Sequence, residues 1–397
     1  ADNALTWGAE ESRPESEFPD DFQYKQDFEA TGLIGSPSGI YLVLTEANFN
    51  AINSMTDADG ANPCQDGGGD VRASTDEAGT TRISLDVIRC ATNNDPALAK
   101  VEIRVYVGDL SVVDKIWIWW GTTATDVQPA EDAAYGQEAI YDANMKAAFA
   151  LNEDPTGTIL DRTQNDVDGT SIGSMTSDDL VDCPVGYGLE FDGVDDAVNI
   201  GTNPALDVGN DPMAVDALVY VDTIDQSLEG IFSYGDQGSG TENGLNLCCY
   251  QSPDRYSMLS TRGGTEDQIF SNATLDTWQH VVAINDAVDL HLYVDGVAAT
   301  PVSHASGSIT DPTPPDAHIG HFNTNTRKFH GKISELVVYD RAPTSDDIQT
   351  RESNLADPGA FWTAGPVQST GGGGGGGGSS SPACWMMDRR RRRFSQP

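Results

Sequence analysis

Residues 288–297 read V-D-L-H-L-Y-V-D-G-V, and two readings of them lead to different proteins. An Asp close to a His, with a second Asp set on a glycine, supplies the ingredients of catalysis. The same residues also describe a chain turning a corner. Leu290, Leu292 and Val294 alternate with Asp289, His291, Tyr293 and Asp295, the period of a half-buried strand. Asp295-Gly296 supplies the positive φ angles of a tight hairpin turn, and Val297 resumes a partner strand. The corner is the reading adopted: Asp295 is a turn residue and His291 lies on a solvated face.

The same pattern extends in both directions. Strand-like runs occur at 188–193 (G-L-E-F-D-G), 197–201, 217–221, 230–235, 245–250 (L-N-L-C-C-Y), 278–284 (W-Q-H-V-V-A-I) and 332–340. Turn signals separate them at short intervals, as in an antiparallel sandwich. T-S-D-D at 344–347 reads as a capping box opening a short helix at Ile348. Earlier, I-Y-L-V-L-T (40–45) is an apolar run, and D-V-R-A-S with I-S-L-D-V-I-R flank a turn at Asp76–Thr80. In V-E-I-R-V-Y-V (101–107), Val101, Ile103, Val105 and Val107 face inward, with Glu102, Arg104 and Tyr106 outward. The expected fold is all-β with two β-sandwich domains. These are 1–146, with a loose N-terminal arm, and 147–363, followed by a disordered Gly/Ser linker and Arg-rich tail over 364–397. The alanine-rich stretch Pro129–Leu151 is expected to be a partly helical join.

The charge excludes whole classes of partner. There are 62 acids against 22 bases, a formal net charge of −40, and five of those bases form the run Arg389–Arg393. Such a surface repels nucleic acid and anionic membrane and suits salty water. No apolar run reaches membrane-spanning length, so no membrane insertion is expected. The chain begins at Ala1 and shows no signal peptide. Oligomeric state is not legible.

Six cysteines are present, with no C-x-x-C spacing. Cys64 and Cys90 flank the Asp76–Thr80 turn almost symmetrically, so a hairpin brings them within disulfide reach. That pairing implies an oxidising compartment. The tail carries eight glycines at 371–378 before three serines, a flexible linker with a reach of roughly 20 Å. A glycine tract ahead of an arginine block resembles a bacterial sorting signal, but the hydrophobic helix between the two parts is missing.

T-W-Q-H-V-V-A-I-N followed by L-H-L-Y-V-D-G-V resembles the laminin-G-like, concanavalin A-like jelly-roll family. L-E-F-D-G-V-D-D-A-V-N-I, G-I-F-S-Y-G-D and F-H-G-K-I-S-E-L-V-V-Y-D-R-A-P-T-S-D-D-I continue the match in order over about 147–352. The resemblance implies two packed antiparallel sheets and a binding or adhesive role toward glycans or protein surfaces. The first domain is similar to an uncharacterised domain found ahead of laminin-G-like modules in bacterial surface and phage proteins. The carrying residues are D-G-G-G-D-V-R-A-S, A-K-V-E-I-R-V-Y-V and I-W-I-W-W-G-T-T-A-T. The expected setting is therefore extracellular, on a cell surface or on a virion.

The resemblance also frames the candidate chemistry. Concanavalin A-like hydrolases carry E-x-D-x-x-E, and Glu190, Asp192 and Asp195 are a near miss. A retaining mechanism needs two carboxyls about 5–5.5 Å apart, and Gly193 breaks the strand where they would stand. No catalytic residues are expected. There is no G-x-S-x-G and no H-E-x-x-H, and His318 and His321 are expected at the surface. Calcium is the cofactor the resemblance implies, with Asp161, Asp192 and Glu335 brought to one sheet edge. D-A-D-G (57–60) with Asp66 and Asp70 is a lesser oxygen-rich loop. Tyr250, Tyr256 and Phe322 are the candidate ligand contacts, because aromatic faces stack on sugar rings. The alternatives are a phage tail or capsid protein with no ligand, and a concanavalin A-like glycoside hydrolase.

Overall fold

The computed structural model describes residues 18–49, 63–93, 100–110, 115–122, 126–207, 212–226, 228–235, 244–262, 265–304, 317–322 and 327–370. Residues 57–60 and the linker and Arg-rich tail lie outside them. The described chain is mostly strand with little helix. Strand Asp289–Val294 alternates half-buried and buried as expected. Asp295 and Gly296 adopt φ of 49° and 71°, and the chain returns with Val294 opposite Val297.

The second half forms two facing sheets. In the nine-stranded sheet, Leu180–Asp182, Tyr187–Asp192, His330–Tyr339, Met213–Val221, Trp278–Asn285 and Asp289–Val294 lie side by side. In the eight-stranded sheet the order runs Thr265–Asn272, Arg255–Arg262, Gly244–Tyr250, Glu229–Tyr234, Ala317–Ile319, Ala197–Gly201 and on to the edge. Alternate residues fill the space between. Val215, Ala217, Val219, Val281 and Leu292 come from one sheet; Leu245, Leu247, Tyr256, Met258 and Ile319 come from the other. Each such side chain contributes about 1.5–3 kcal/mol when fully buried. The join differs from expectation: Pro129–Leu151 holds one short 3-10 turn, Gln137–Ile140, and then a strand, Met145–Phe149. That strand pairs with His330–Tyr339.

The first domain has a six-stranded and a three-stranded sheet around their own core. Two of the six strands come from the far end of the chain. Trp362–Ala364 and Gln368–Ser369 both pair with Tyr24–Ala30. Residues 364–370 therefore belong to this sheet, where a disordered tail was expected to begin. The jelly-roll sequence is an insertion in the first domain's chain. The helix Ser345–Ala356 leads back, capped by Thr344 and Asp347 as the capping box requires.

The outer face of the nine-stranded sheet is covered by the first domain. Tyr41 and Val43 pack with Ala214, Val282, Ile284, Val337 and the helix residues Ile348 and Leu355. Glu102 and Arg104 point outward from their strand as expected, yet both are buried in this joint. Arg104 hydrogen-bonds to Glu335 and donates to Tyr141 Oη at 3.1 Å. Tyr141 donates to Asp86 at 2.6 Å, and Arg162 binds the same carboxylate. Tyr41 donates to Glu335 Oε2 at 2.8 Å. Arg351, from the helix, reaches both oxygens of Asp216 at 3.0 Å. A β-bulge makes this possible: Glu335 and Leu336 stand opposite Ala217 alone, with Glu335 at φ 55°. A bulge re-aims a side chain, here out of the sandwich and into the joint.

Candidate functional site

The residues expected to bind calcium are held in three places. Glu335 is in the joint, its oxygens bonded to Arg104 and Tyr41. Asp161 is buried and accepts backbone N–H groups of Ala148, Thr163 and Val167. Asp192 caps its own turn, accepting from the N–H groups of Val194 and Asp195. These three do not fit one ion. Among the described residues, the carboxylates whose oxygens converge are Asp192, Asp195 and Asp196, within 4.8 Å of one another. The buried Lys328 stands near them and is itself influenced by all three. Of the lesser loop, Asp70 accepts the N–H groups of Gln65 and Gly121, and Asp66 accepts that of Thr92.

The near miss to a hydrolase motif stays one. Glu190 lies on the outer side of the nine-stranded sheet, between inward Leu189 and Phe191, and pairs with Lys332 at 3.2 Å. Gly193 turns the chain at φ 74° immediately after Asp192. The histidines also resolve. His291 is half-buried and bonds Asp286 at 2.9 Å. His321, expected at the surface, is buried because its hairpin crosses directly over Gly230, where a Cβ would strike the backbone of His321 and Phe322. His318 is half-buried and packs edge-on against His321.

The candidate ligand contacts divide by strand alternation. Tyr256 faces inward and belongs to the sandwich core. Phe322 is buried against Cys248 and Leu259 on the outer side of the eight-stranded sheet. Neither presents a ring to solvent. Tyr250 does, in part, and it has company that the sequence reading passed over. Its ring centroid is 5.3 Å from that of Phe270. The guanidinium of Arg255 lies over both rings, 4.0 Å from Phe270 and 5.1 Å from Tyr250. Tyr250 pairs directly with Arg255 across the hairpin. The signal was available: in R-Y-S-M-L (255–259) alternation sends Tyr256 inward with Met258, and so Arg255 outward.

Arg255 is unusual in another respect. Most described cations of this acidic chain meet a carboxylate, as in Lys100–Glu46, Lys146–Asp340 and Arg162–Asp86. Arg255 meets none among the described residues, and its Nε is buried without a hydrogen-bond partner. Further along the same face, the cross-strand pair Ser233 and Asn246 is buried. Neither Ser233 Oγ nor either amide atom of Asn246 has a hydrogen-bond partner. Native structures rarely leave buried polar groups so.

Residues 192–349 match the Laminin_G_3 family model, the concanavalin A-like lectin/glucanases superfamily. The C-terminal region is a concanavalin A-like jelly roll. Among solved structures, it is similar to the binding domain of Paraclostridial Mosquitocidal Protein 1, at 13% identity and TM-score 0.41, covering 53% of this chain and 52% of that one. The Botulinum Neurotoxin serotype G binding domain matches at 13% identity and TM-score 0.42, covering 53% and 50%. Domain 4 of AbnA, a GH43 extracellular arabinanase from Geobacillus stearothermophilus solved with arabinotriose, matches at 15% identity and TM-score 0.40, covering 52% and 97%. The chain thus spans about half the length of the two toxin structures. No curated protein matches. No described helix is long and apolar enough to cross a membrane.

Proposed function

We propose that the jelly roll is a non-catalytic binding module, displayed outside the cell or on a virion, that recognises a glycan or a glycan-bearing protein surface. The contact is the outer side of the eight-stranded sheet around Tyr250, Arg255 and Phe270. The observation that supports this is the stacked, unpaired guanidinium of Arg255 in a chain of net charge −40. Aromatic stacking fixes its orientation, leaving hydrogen-bond donors for a ligand oxygen. Half-exposed Tyr250 and Phe270 add apolar ring contact at low entropy cost.

Probing a glycan array with the intact chain tests this. Retention of defined saccharides is expected, and Arg255→Gln is expected to weaken it about tenfold or more, the loss of one charge-assisted hydrogen bond. Retention of nothing would support a packing role with no ligand. Release of reducing sugar that disappears in Glu190→Gln would restore the hydrolase. Repeating the array with a chelator reads any calcium dependence.

The compartment has its own test. Cys64 Sγ and Cys90 Sγ face each other at 2.8 Å in a buried site. The hairpin is not what joins them: Ala73 pairs with Ile83, and Asp86–Ala91 then crosses to the other sheet. Protein made under oxidising conditions is expected to protect these two thiols from alkylation after unfolding, while Cys183, Cys248 and Cys249 react. Replacing Cys90 by Ser is expected to cost about 2–4 kcal/mol of that oxidised stability.

A further inference from the structure

The joint between the domains contains more acid than its cations can neutralise. Arg104, Arg162, Arg351 and a protonated His280 are matched by Asp86, Asp216, Glu335 and Glu352. Glu102 is left over. Its Oε1 lies 3.4 Å from Arg104 Nη2, the guanidinium that already binds Glu335. Its Oε2 abuts Gly186, where an added Cβ would lie 1.8 Å away. Glu102 and Glu335 share the one Arg104 guanidinium, and burial together with the Glu335 charge pushes Glu102 toward its protonated form. Asp86 and the Cys183 thiol are its other titratable neighbours.

His280 stands at the other end. Asp216 meets its Nε2 at 3.0 Å from the adjacent strand. Glu352 approaches Nδ1 at 3.1 Å from the helix, as an ion pair without good hydrogen-bond alignment. Asp295 accepts the backbone N–H of His280, and Arg351 holds the far side of Asp216.

We infer that this joint is a proton-dependent latch, holding the two domains together while Glu102 and His280 are protonated and loosening when both protons leave. Losing them adds two negative charges to a buried network in which Glu153 is a further carboxyl near Arg162 and Arg104, and the cost of unpaired buried charge falls on the interface.

The direction of titration agrees. Burial pushes Glu102 up to about 8. For His280 burial opposes the charge, but Asp216 and Glu352 outweigh it and raise the imidazole to about 9. Glu102 keeps its proton in the folded chain after the unfolded chain has lost it, so stability falls as pH rises from about 4.5 to about 8. The His280 contribution is fully present below about 6.5 and is lost as pH rises through about 9. Both effects weaken the fold toward alkaline pH.

The test is urea unfolding of the full chain across the pH range 6.5 to 9, for wild type, Glu102→Gln and His280→Gln. The slope of stability against pH counts protons. In wild type the folded chain is expected to hold about two more protons than the unfolded chain near the middle of that range. Each substitution is expected to remove about one. Glu229, raised to about 7 on the opposite sheet, adds a background the substitutions leave unchanged. Hydrogen exchange locates the loosening. The amide of Val43, bonded to Asn354 at 2.7 Å across the joint, is expected to lose protection with pH before the jelly-roll amide of Val281. An unchanged slope in both variants would overturn the latch, as would equal loss of protection at Val43 and Val281.

Discussion

A chain ending at Asp340 is expected to lose the fold of its first domain, although the cut lies in the second half of the sequence. What it removes includes Thr344–Thr370, and that segment is shared. Ile348 and Leu355 lie in the joint, and Phe361 and Trp362 are buried in or against the first domain's core. At about 1.5–3 kcal/mol for each buried side chain, the loss reaches the whole stability of an ordinary domain, about 5–15 kcal/mol. Directional bonds go as well: Trp362 Nε1 to Val43 O at 2.8 Å, Asn354 to both backbone groups of Val43, and the pairing of Tyr24–Ala30 with two strands. Near-ultraviolet circular dichroism reports the packing of Trp117, Trp119 and Trp120, and should collapse in the truncated chain. Residues 1–146 alone should fail in the same way. A truncated chain that kept exchange protection over Tyr24–Ala30 would show that the inserted topology is not needed for folding.

The segment that closes the first domain was the hardest to read in the sequence. Residues 362–369 form strands of three and two residues, too short for a period of two to register, and they precede a glycine tract that draws the eye to a linker. The strands of the sandwich were easier, because alternation such as that of Leu290, Leu292 and Val294 reports a buried face directly. Alternation says which way a side chain points but not what lies there. Glu102 and Arg104 were correctly read as outward, and an outward charge normally means water; here it means another domain. A lone acid inside M-A-V-D-A-L-V-Y-V (213–221) carried a clue, since an unpaired Asp amid such apolar neighbours is costly. Its partner Arg351 lies 135 positions away, beyond any local pattern. The same limit scattered the expected calcium ligands: Asp161, Asp192 and Glu335 were grouped because the resemblance brings their segments to one sheet edge, and a bulge of one residue turned Glu335 to the other side.

Arg351→Met is expected to be the most damaging single substitution in the molecule, destabilising it by about 3–5 kcal/mol in urea unfolding. Methionine nearly matches the buried stem, so packing changes little; what changes is the charge. Asp216 is held below the usual carboxylate range by Arg351 and His280 against the effect of burial, and removing the guanidinium leaves it with His280 alone. The guanidinium also donates to Tyr41 Oη and Glu335 O, both at 3.2 Å, and lies 4.4 Å from the Tyr41 ring. Lysine should rescue little. A single ammonium cannot serve Asp216, the tyrosine hydroxyl and a backbone carbonyl at once, because that needs the planar fork of arginine. Adding Asp216→Asn to Arg351→Met removes the stranded charge, so the double variant is expected to be more stable than the sum of the single losses predicts. Strict additivity would mean that the two residues stabilise the joint independently, and the network would then be a set of neighbours rather than one bonded unit.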